Sequence, residues 1–389
     1  MEKLRFKDEN GNKYSSIENK KMKDISIFIT KGTTPTTIGF NFETTGINFF
    51  KIESFSDSGY VLKNKIKYIS DKCNENMKRS KLCENDILFS IAGAIGRVIY
   101  IKNEHLPANI NQALALIRLD NSEISPLYLK YFLISPFSKK QILNLKSGSA
   151  QLNLSLEQIN NFKIKLHPFY EQNKIANYFS NLDTVINNKQ RQLELMEKYK
   201  EDLLDKIFNQ KIRFKDENGC DYPEWKKAKL GDYITIFPKS KHPASVGLIS
   251  GKYNFFTTSN KNLYLNEFDI DGDYLIVGDG GVANFKHYNG KFSISDHCWL
   301  AKFENLNNNY VKQFLTYKEK FINDLLFQGT GLRNLSRKLF LNFEFPLIDI
   351  KEQEKIANLF SNLDLKINVL KNSIKNLKEF KIDMLEKMF

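Results

Sequence analysis

Two segments, Glu171-Gln-Asn-Lys-Ile-Ala-Asn-Tyr-Phe-Ser-Asn-Leu-Asp183 and Glu352-Gln-Glu-Lys-Ile-Ala-Asn-Leu-Phe-Ser-Asn-Leu-Asp364, are identical at 11 of 13 positions. They belong to a longer match without gaps, in which residues 148–208 align with residues 329–389 at a constant offset of 181. Chance does not keep so many identities in one register over such a length. The chain therefore contains an internal repeat, and the repeat sets its architecture.

A second repeated segment opens each copy. Arg5-Phe-Lys-Asp-Glu-Asn-Gly11 returns as Arg213-Phe-Lys-Asp-Glu-Asn-Gly219 at an offset of 208, so the region between the two matches is 27 residues longer in the first copy. Each copy has an opening segment, a variable globular body and a common tail. The length of 389 residues allows two or three domains, and the repeat indicates one unit written twice.

The two tails are predicted to be long helices, because no proline or glycine lies between Pro168 and Gly219 and none follows Pro346. Apolar residues recur there in alternating steps of three and four, which is typical of a coiled-coil seam. Only Lys189 and Lys200 interrupt the series in the first tail, and only Lys381 in the second. The predicted seam residues are Phe179, Leu182, Ile186, Leu193, Met196, Leu203 and Ile207, and then Phe360, Leu363, Ile367, Leu370, Ile374, Leu377, Met384 and Met388.

Two matched seams in one chain favour packing of the helices against each other, and near-equivalent copies favour a pseudo-twofold, antiparallel pair. The alternative is that each helix packs only on its own body. The bodies contain strand-like runs before glycine, such as Asp86–Ser90 and Asp273–Val277, and a helical pattern at Pro126–Leu145. We predict an α+β fold with two globular domains at residues 1–167 and 213–347, and two spacer helices at residues 168–212 and 348–389.

The net charge is +13, which favours a polyanionic partner such as nucleic acid but is equally expected from a lysine-rich genome. The four cysteines are scattered and no histidines have zinc-ligand spacing, so no metal site is predicted. The N-terminus is charged and Arg97 interrupts the longest apolar stretch. We therefore expect a cytoplasmic protein without a membrane partner.

No catalytic constellation is present. Gly251-Lys252 and Gly290-Lys291 lack the following hydroxyl residue and the preceding glycine of a phosphate-binding loop, and Asp279-Gly-Gly281 lacks a dinucleotide fingerprint. The chain has no Pro-Pro pair, as an amino-methyltransferase signature would require, and no His-x-x-x-His pair. We therefore predict no catalytic residue and no cofactor or metal in this chain.

The duplicated layout suits a binding protein instead, since two similar bodies on a stiff spacer can read two short DNA sequences separated by untouched base pairs. Cations hold phosphates, while amides, hydroxyls and guanidinium groups read base edges. The candidate residues of the first body are Lys31, Thr33, Thr34, Thr36, Arg97, Asn109, Asn111, Gln112, Ser147, Ser149, Gln151 and Asn153. Those of the second body are Lys239, Lys241, Ser259, Asn260, Lys261, Thr330, Arg333, Asn334, Ser336 and Arg337.

These features together resemble the DNA-specificity subunit of a type I restriction-modification system. The resemblance lies in the two Glu-Gln-x-Lys-Ile-Ala-Asn segments, the glycine-led loops at Gly148 and Gly329, and the segments Thr30–Pro35 and Trp225–Asp232. It implies that each body is a target recognition domain and that the paired helices are a conserved spacer. The implied partners are double-stranded DNA, two methyltransferase subunits and ATP-driven restriction subunits, with S-adenosylmethionine, ATP and Mg²⁺ bound by those subunits.

Two departures from equivalence stand out between the copies. Ile17 occupies the position of Trp225, and the second body lacks the Gly-Thr-Thr-Pro turn, having Pro238–Pro243 nearby. Equivalent loops are therefore not expected to read DNA in equivalent ways. The alternative function is a two-headed coiled-coil scaffold for other proteins, without DNA specificity.

Overall fold

The computed structural model describes residues 4–147, 153–329, 331 and 333–389, apart from the side chains of Lys146 and Ser147. The chain divides into two compact units. The first comprises Met1–Lys189 and Ser373–Phe389, and the second comprises Gln190–Asn372. The division passes through both tail helices, so each unit contains part of each helix.

The first unit has a mixed α+β body. Its strands form a pair, β1-β9, a four-stranded sheet of order β2-β8-β5-β6 and a three-stranded sheet of order β4-β3-β7 in which β3 and β7 are parallel. The elements are β1 (Glu18–Lys21), β2 (Ser26–Lys31), β3 (Ile47–Phe50), β4 (Lys67–Ile69), α1 (Asp71–Asn76), β5 (Ile87–Ser90), β6 (Val98–Tyr100), β7 (Ala108–Ile110), β8 (Leu114–Leu119), α2 (Pro126–Ile134), α3 (Pro136–Ser147), α4 (Leu156–Asn160), β9 (Lys163–Leu166) and α5 (Phe169–Phe208).

The second unit repeats this plan with one larger sheet. Its strands form a pair, β10-β19, a six-stranded sheet of order β11-β16-β14-β15-β12-β13 and a short pair, β17-β18. The elements are β10 (Lys226–Lys229), β11 (Ile234–Ile236), β12 (Tyr253–Phe256), β13 (Leu263–Leu265), β14 (Ile270–Gly278), β15 (Asn284–Ile294), β16 (Cys298–Phe303), α6 (Asn308–Tyr317), α7 (Glu319–Leu325), β17 (Phe327–Gln328), β18 (Asn334–Leu335), α8 (Arg337–Leu341), β19 (Glu344–Leu347) and α9 (Ile350–Met388).

The two bodies share a topology and differ in sheet continuity. The single strand β15 pairs with β14 and also runs parallel to β12, whereas in the first unit these two roles fall to the separate strands β6 and β7. The connections before and after β4, residues 51–66 and 70–86, are longer than their counterparts at 257–262 and 266–269. The extra length of the first copy therefore lies mainly in these connections and not in the tail helices. The predicted α+β class with two repeats is confirmed.

One predicted helix is divided in two. Residues Pro126–Leu145 were expected to form a single helix, but α2 ends at Ile134 and α3 begins at Pro136. The intervening Ser135 is extended, with φ −66° and ψ 157°. Proline disfavours a helical conformation in the residue before it, which accounts for the break.

The tail helices run antiparallel within each unit. In the first unit, Lys381 pairs with the Asp183 carboxylate, and the ring of Phe389 stacks on Phe179 with centroids 6.3 Å apart. In the second, Lys371 Nζ lies 2.7 Å from Glu197 Oε1 and Lys200 Nζ lies 2.5 Å from Asp364 Oδ1. In these contacts, residue numbers fall along the first tail helix as they rise along the second, so the two helices are antiparallel. The alternative, in which each helix packs only on its own body, is therefore wrong.

Every predicted seam residue is buried or half-buried, and none is exposed. The neighbours Leu204 and Leu385, which the predicted series omitted, are 5% and 3% exposed and join the cores of their units. The lysines that interrupt the series are explained in part, because Lys200 and Lys381 occupy equivalent positions and each reaches an equivalent aspartate. Within the described residues, no helix combines the length and apolar character that a membrane span requires.

Candidate nucleic-acid interface

The predicted loops of the first unit emerge at one edge of its four-stranded sheet. Lys31, at the end of β2, pairs with Ala115, and Ser90, at the end of β5, pairs with Leu114 at the start of β8. The segments that follow β2 and β5 and the segment that precedes β8 therefore lie side by side. Leu154 joins this edge because its backbone nitrogen donates to Ile91 O at 2.8 Å. We call this the first recognition edge.

Several predicted residues meet there. Thr34 Oγ1 donates a hydrogen bond to Gln112 Oε1, which joins the loop after β2 to the loop after β7. Lys31, Thr36 and Gln112 are exposed, while Thr33, Thr34 and Asn111 are half-buried. The edge thus presents an ammonium group, hydroxyls and an amide on a shared surface. These are groups that bind phosphate oxygens and base edges.

Gly32 allows this arrangement. A Cβ at Gly32 would lie 1.8 Å from Ile110 O and 2.7 Å from Asn111 O, so no side chain fits between the loop after β2 and strand β7. The backbone approach brings Thr33 and Thr34 next to Gln112. The role of this glycine is steric, because its environment leaves no space for a methyl group.

Two predicted residues of the first body are used inside the fold. Asn109 is fully buried and bonds Ser80 Oγ, Asn74 Oδ1 and Met77 O at 2.7, 2.8 and 3.1 Å. Arg97 donates to Ile52 O and Phe55 O at 3.0 and 2.7 Å and pairs with Asp57. The prediction that these side chains face DNA is corrected, because their polar groups are already satisfied by the loops that they hold.

Asn153 is exposed and lies next to Leu154 at the first recognition edge. The predicted contacts Ser149, Gln151 and Thr330, and the side chain of Ser147, lie outside the described residues. They stay predictions.

The second unit has an equivalent edge. Ile236, at the end of β11, pairs with Ala301, and Gly278, at the end of β14, pairs with Cys298 at the start of β16. The loops after β11 and β14 and the loop before β16 therefore share one edge, which we call the second recognition edge. There, exposed Lys239 pairs with Asp279, and the predicted Lys241 is also exposed.

The loop at residues 257–261 carries three predicted residues, Ser259, Asn260 and Lys261, and all three are exposed. Lys286 Nζ donates to Thr257 O at 2.6 Å and to Ser259 O at 2.7 Å, which fixes the path of this loop. Burial lowers the pKa of the Lys286 ammonium group. Asn284 Nδ2 donates to Asn260 Oδ1 at 2.8 Å and so adds an amide to the same surface.

The predicted residues between 333 and 337 fall into two groups, those exposed at the edge and those bonded within the fold. Asn334 is exposed and bridges to Gly280, while Arg337 is exposed with its guanidinium 5.8 Å from the Trp299 ring centroid. Arg333 instead donates to Phe327 O at 2.8 Å and to Asn323 O. These bonds engage Nε and Nη2 of the guanidinium, and its role as a DNA contact stays a prediction. Ser336 is half-buried, and its backbone nitrogen donates to Leu326 O at 2.8 Å.

Sequence reasoning missed Asp279, Asn284, Lys286 and His297 at the second recognition edge. One signal could have found Asn284, because the alignment of Asp86 with Asp273 also places Arg97 opposite Asn284. His297 has no such signal. Its ring reaches the edge only because Asp279 N donates to His297 O at 3.0 Å.

Among the described residues, no group of three or more His, Cys, Asp or Glu side chains could hold a metal ion. What both edges supply is a set of ammonium, amide and hydroxyl groups carried by loops on a rigid sheet. Such groups can form directional hydrogen bonds to a polyanion.

The sequence matches the family described as the Type I restriction modification DNA specificity domain over residues 14–197 and 222–379, one match in each repeat. It is similar to a Methanocaldococcus jannaschii chain assigned as the specificity subunit of the type I restriction enzyme MjaX, with 29% identity over 94% of this chain and 90% of that one. It is also similar to the specificity subunit of the type I restriction enzyme EcoBI from Escherichia coli, with 30% identity over 37% of this chain and 31% of the relative.

Two solved structures have a similar fold. One is a type I restriction-modification S subunit from M. genitalium, with a TM-score of 0.69 and 16% identity over 100% of this chain and 99% of that one. The other comes from work on complex assembly and conformational transition of the type I system, with a TM-score of 0.56 and 14% identity over 97% and 98% of the two chains. Because the family match extends over most of both repeats, this chain belongs to the type I restriction-modification DNA specificity family.

Proposed function

We propose that the protein is the sequence-specific DNA-recognition subunit of a type I restriction-modification complex and reads an asymmetric site in two parts. The observation that supports this most directly is that two bodies of one topology carry different side chains at equivalent edges. The first recognition edge has Thr34 and Gln112, whereas the second has Lys239 and Asp279. Different side chains on two similar scaffolds would read two different half-sites.

We further propose that this chain does no chemistry itself. Its partners would be two adenine-methyltransferase subunits and ATP-dependent restriction subunits, which would bind S-adenosylmethionine, ATP and Mg²⁺. The chain would place the methyltransferase over an adenine that is flipped out of the duplex for methylation. Since its proposed ligand is chromosomal DNA, we propose that the protein acts in the cytoplasm.

Methylation mapping tests this function. The chain would be produced together with its methyltransferase in a host that lacks other adenine methylation, and methyladenine would be mapped along the genome. We expect one motif with two short specified parts separated by unspecified base pairs, and no methylation from the methyltransferase alone. Absence of a two-part motif would reject the proposal and favour the alternative, a scaffold for other proteins without DNA specificity.

A further inference from the structure

A cavity of about 480 Å³ opens at the second recognition edge. Its apolar wall includes Phe237, Trp299 and Leu335, and its polar groups are Lys239, Asp279 and Arg337. All of these residues belong to the second unit. Lys239 and Arg337 are exposed, so the cavity faces outward beside two cations.

The Asp279 carboxylate is incompletely satisfied. It pairs with the Lys239 ammonium group, yet its Oδ1 is buried and has no hydrogen-bond partner among the described residues. The ring nitrogen Nδ1 of His297 is 3.7 Å from Oδ1, which is outside hydrogen-bond range. A buried carboxylate oxygen without a donor is costly. A donor supplied by a bound molecule would remove that cost once the carboxylate turns to bring this oxygen to the cavity.

The ion pair presents an acceptor and a donor side by side, and this arrangement matches one kind of base pair. In the major groove, a C·G pair presents the cytosine N4 amino donor next to the guanine O6 and N7 acceptors. The Asp279 carboxylate can accept from the amino group while the Lys239 ammonium donates to guanine.

An A·T pair fits this arrangement less well. Its N6 amino donor is flanked by acceptors on both sides, adenine N7 and thymine O4, and a carboxylate oxygen would oppose them. On the far side of the cytosine amino group there is only a C5–H group. The geometry therefore favours cytosine as the base that faces Asp279.

We propose that Asp279 and Lys239 together read one C·G base pair in the half-site recognised by the second unit. This inference rests on the proposed function and adds one specified base pair and its orientation. Arg337 lines the same cavity.

The test compares wild type with Asp279→Asn, Lys239→Gln and the control Asp271→Asn. Asp271 lies at the other end of β14, is exposed, and undergoes the same change of charge. Genomic methyladenine would be mapped for each variant. In parallel, binding of the methyltransferase complex would be measured with duplexes that carry each base pair at every position of the wild-type motif.

We expect one C·G position, in one half-site only, to lose its specificity in both edge variants. Discrimination for cytosine should fall about 10- to 100-fold at that position, and Asp279→Asn should gain preference for adenine, which asparagine contacts through N6 and N7. The other half-site and the Asp271→Asn motif should match wild type.

A two-part wild-type motif that stays unchanged in both edge variants would overturn the inference and leave the proposed function standing. Affinity lost equally for all duplexes would also overturn it, because that result indicates a phosphate contact or a folding defect. If Asp279→Asn fails to fold, the Lys239→Gln variant provides the test, since Lys239 is exposed and its side chain pairs with Asp279. A wild-type chain that yields no two-part motif would reject the proposed function itself.

Discussion

Arg213 holds the buried carboxylate of Glu352 with two nitrogens, Nε at 3.2 Å from Oε1 and Nη2 at 2.8 Å from Oε2. The first unit repeats this geometry, with Arg5 Nε 3.2 Å and Nη2 2.5 Å from the Glu171 oxygens. The opening segment of each repeat is thereby fastened to the start of its tail helix. This contact explains why Arg-Phe-Lys-Asp-Glu-Asn-Gly and Glu-Gln-x-Lys-Ile-Ala-Asn occur together in both copies.

The two copies differ in one of the hydrogen-bond donors to the buried glutamate. Trp225 Nε1 donates to Glu352 Oε2 at 3.0 Å, whereas in the first unit the backbone nitrogen of Phe6 donates to Glu171 Oε1 at 3.2 Å. Ile17, which replaces the tryptophan in the first copy, has no side-chain donor. A backbone donor therefore takes the place of the missing indole.

Replacing Arg213 by alanine should destabilise the protein by about 2–3 kcal/mol, because it leaves the fully buried Glu352 with Trp225 but without its cation. The Glu352 carboxylate raises the pKa of Arg213, as expected for a pair that favours the charged form. Denaturant unfolding measures the loss. The control Lys227→Ala breaks the exposed pair with Glu344 and should cost less than about 1 kcal/mol. Equal losses in the two variants would contradict the argument.

Asp364 should matter more than either cation that it binds. Its carboxylate faces Lys200 at 2.5 Å and Lys312 at 3.2 Å, and burial lowers the pKa of Lys312. Asp364→Asn leaves both lysines without a counter-charge and should cost about 2–3 kcal/mol. Lys200→Met leaves Lys312 and Gln313 to hold the carboxylate and should cost about 1 kcal/mol. Unfolding curves that rank the two variants in the opposite order would reject this account.

His167 should make the first unit sensitive to acid. Burial lowers its pKa to about 4, with Arg5 and Lys165 adding to the effect. Because an unfolded histidine has a pKa of about 6.5, only the unfolded state takes up the proton as pH falls. Stability should therefore be full above about pH 6.5 and decline by about 2–3 kcal/mol towards pH 4.

The second repeat supplies a matched variant for this prediction. Ile348 occupies the position of His167, and there Tyr310 donates to Pro346 O at 2.7 Å much as Tyr128 donates to Lys165 O at 2.5 Å. His167→Ile should keep the tyrosine hydrogen bond and flatten the pH dependence between pH 6.5 and 4. The comparison is the unfolding free energy of both proteins across that window. Parallel pH profiles would show that His167 is not the titrating group.

Gly32→Ala should disrupt the first recognition edge, since the added methyl group would meet Ile110 O at 1.8 Å. We expect a stability loss of about 1–3 kcal/mol and weaker binding to one half-site only. Gly280→Ala is the stability control, because its nearest neighbour would be Asn334 Oδ1 at 3.7 Å. Unfolding measurements and methylation mapping report the two effects. An unaltered motif with Gly32→Ala would mean that this loop does not read DNA.

The proposed spacer function predicts a dependence on helix length. Inserting four residues into both α5 and α9 at equivalent positions adds about 6 Å of helix. If the helices set the spacing of the half-sites, the gap in the methylated motif should grow by about two base pairs at about 3.4 Å each. Insertion in a surface loop such as residues 57–59 is the control. A gap that stays the same would exclude the helices as the spacer.

Prediction from the sequence succeeded where the signal is local. Within the spacer helix predicted at residues 168–212, the structure has α5 from Phe169 to Phe208, and the strand-like run at Asp86–Ser90 contains β5. It failed where the partner lies far away in the chain. Asn109 has the polar side chain of a DNA contact, but it bonds α1 and the turn after it. A sequence shows which side chains can form hydrogen bonds, but it does not show which partner each side chain bonds in the folded protein.

The duplication, the two long helices and the family follow from the sequence by itself. Repeated segments can be aligned, and an apolar periodicity can be recognised, without knowing which residues are in contact. Tertiary structure decided which polar groups remain available for DNA. It occupied Arg97 and Arg333 with backbone carbonyls, paired Lys200 with Asp364, and left Asp279 Oδ1 without a donor from any residue that the structure describes. These outcomes depend on contacts between distant segments, since burial and hydrogen bonding are settled only when the chain is folded.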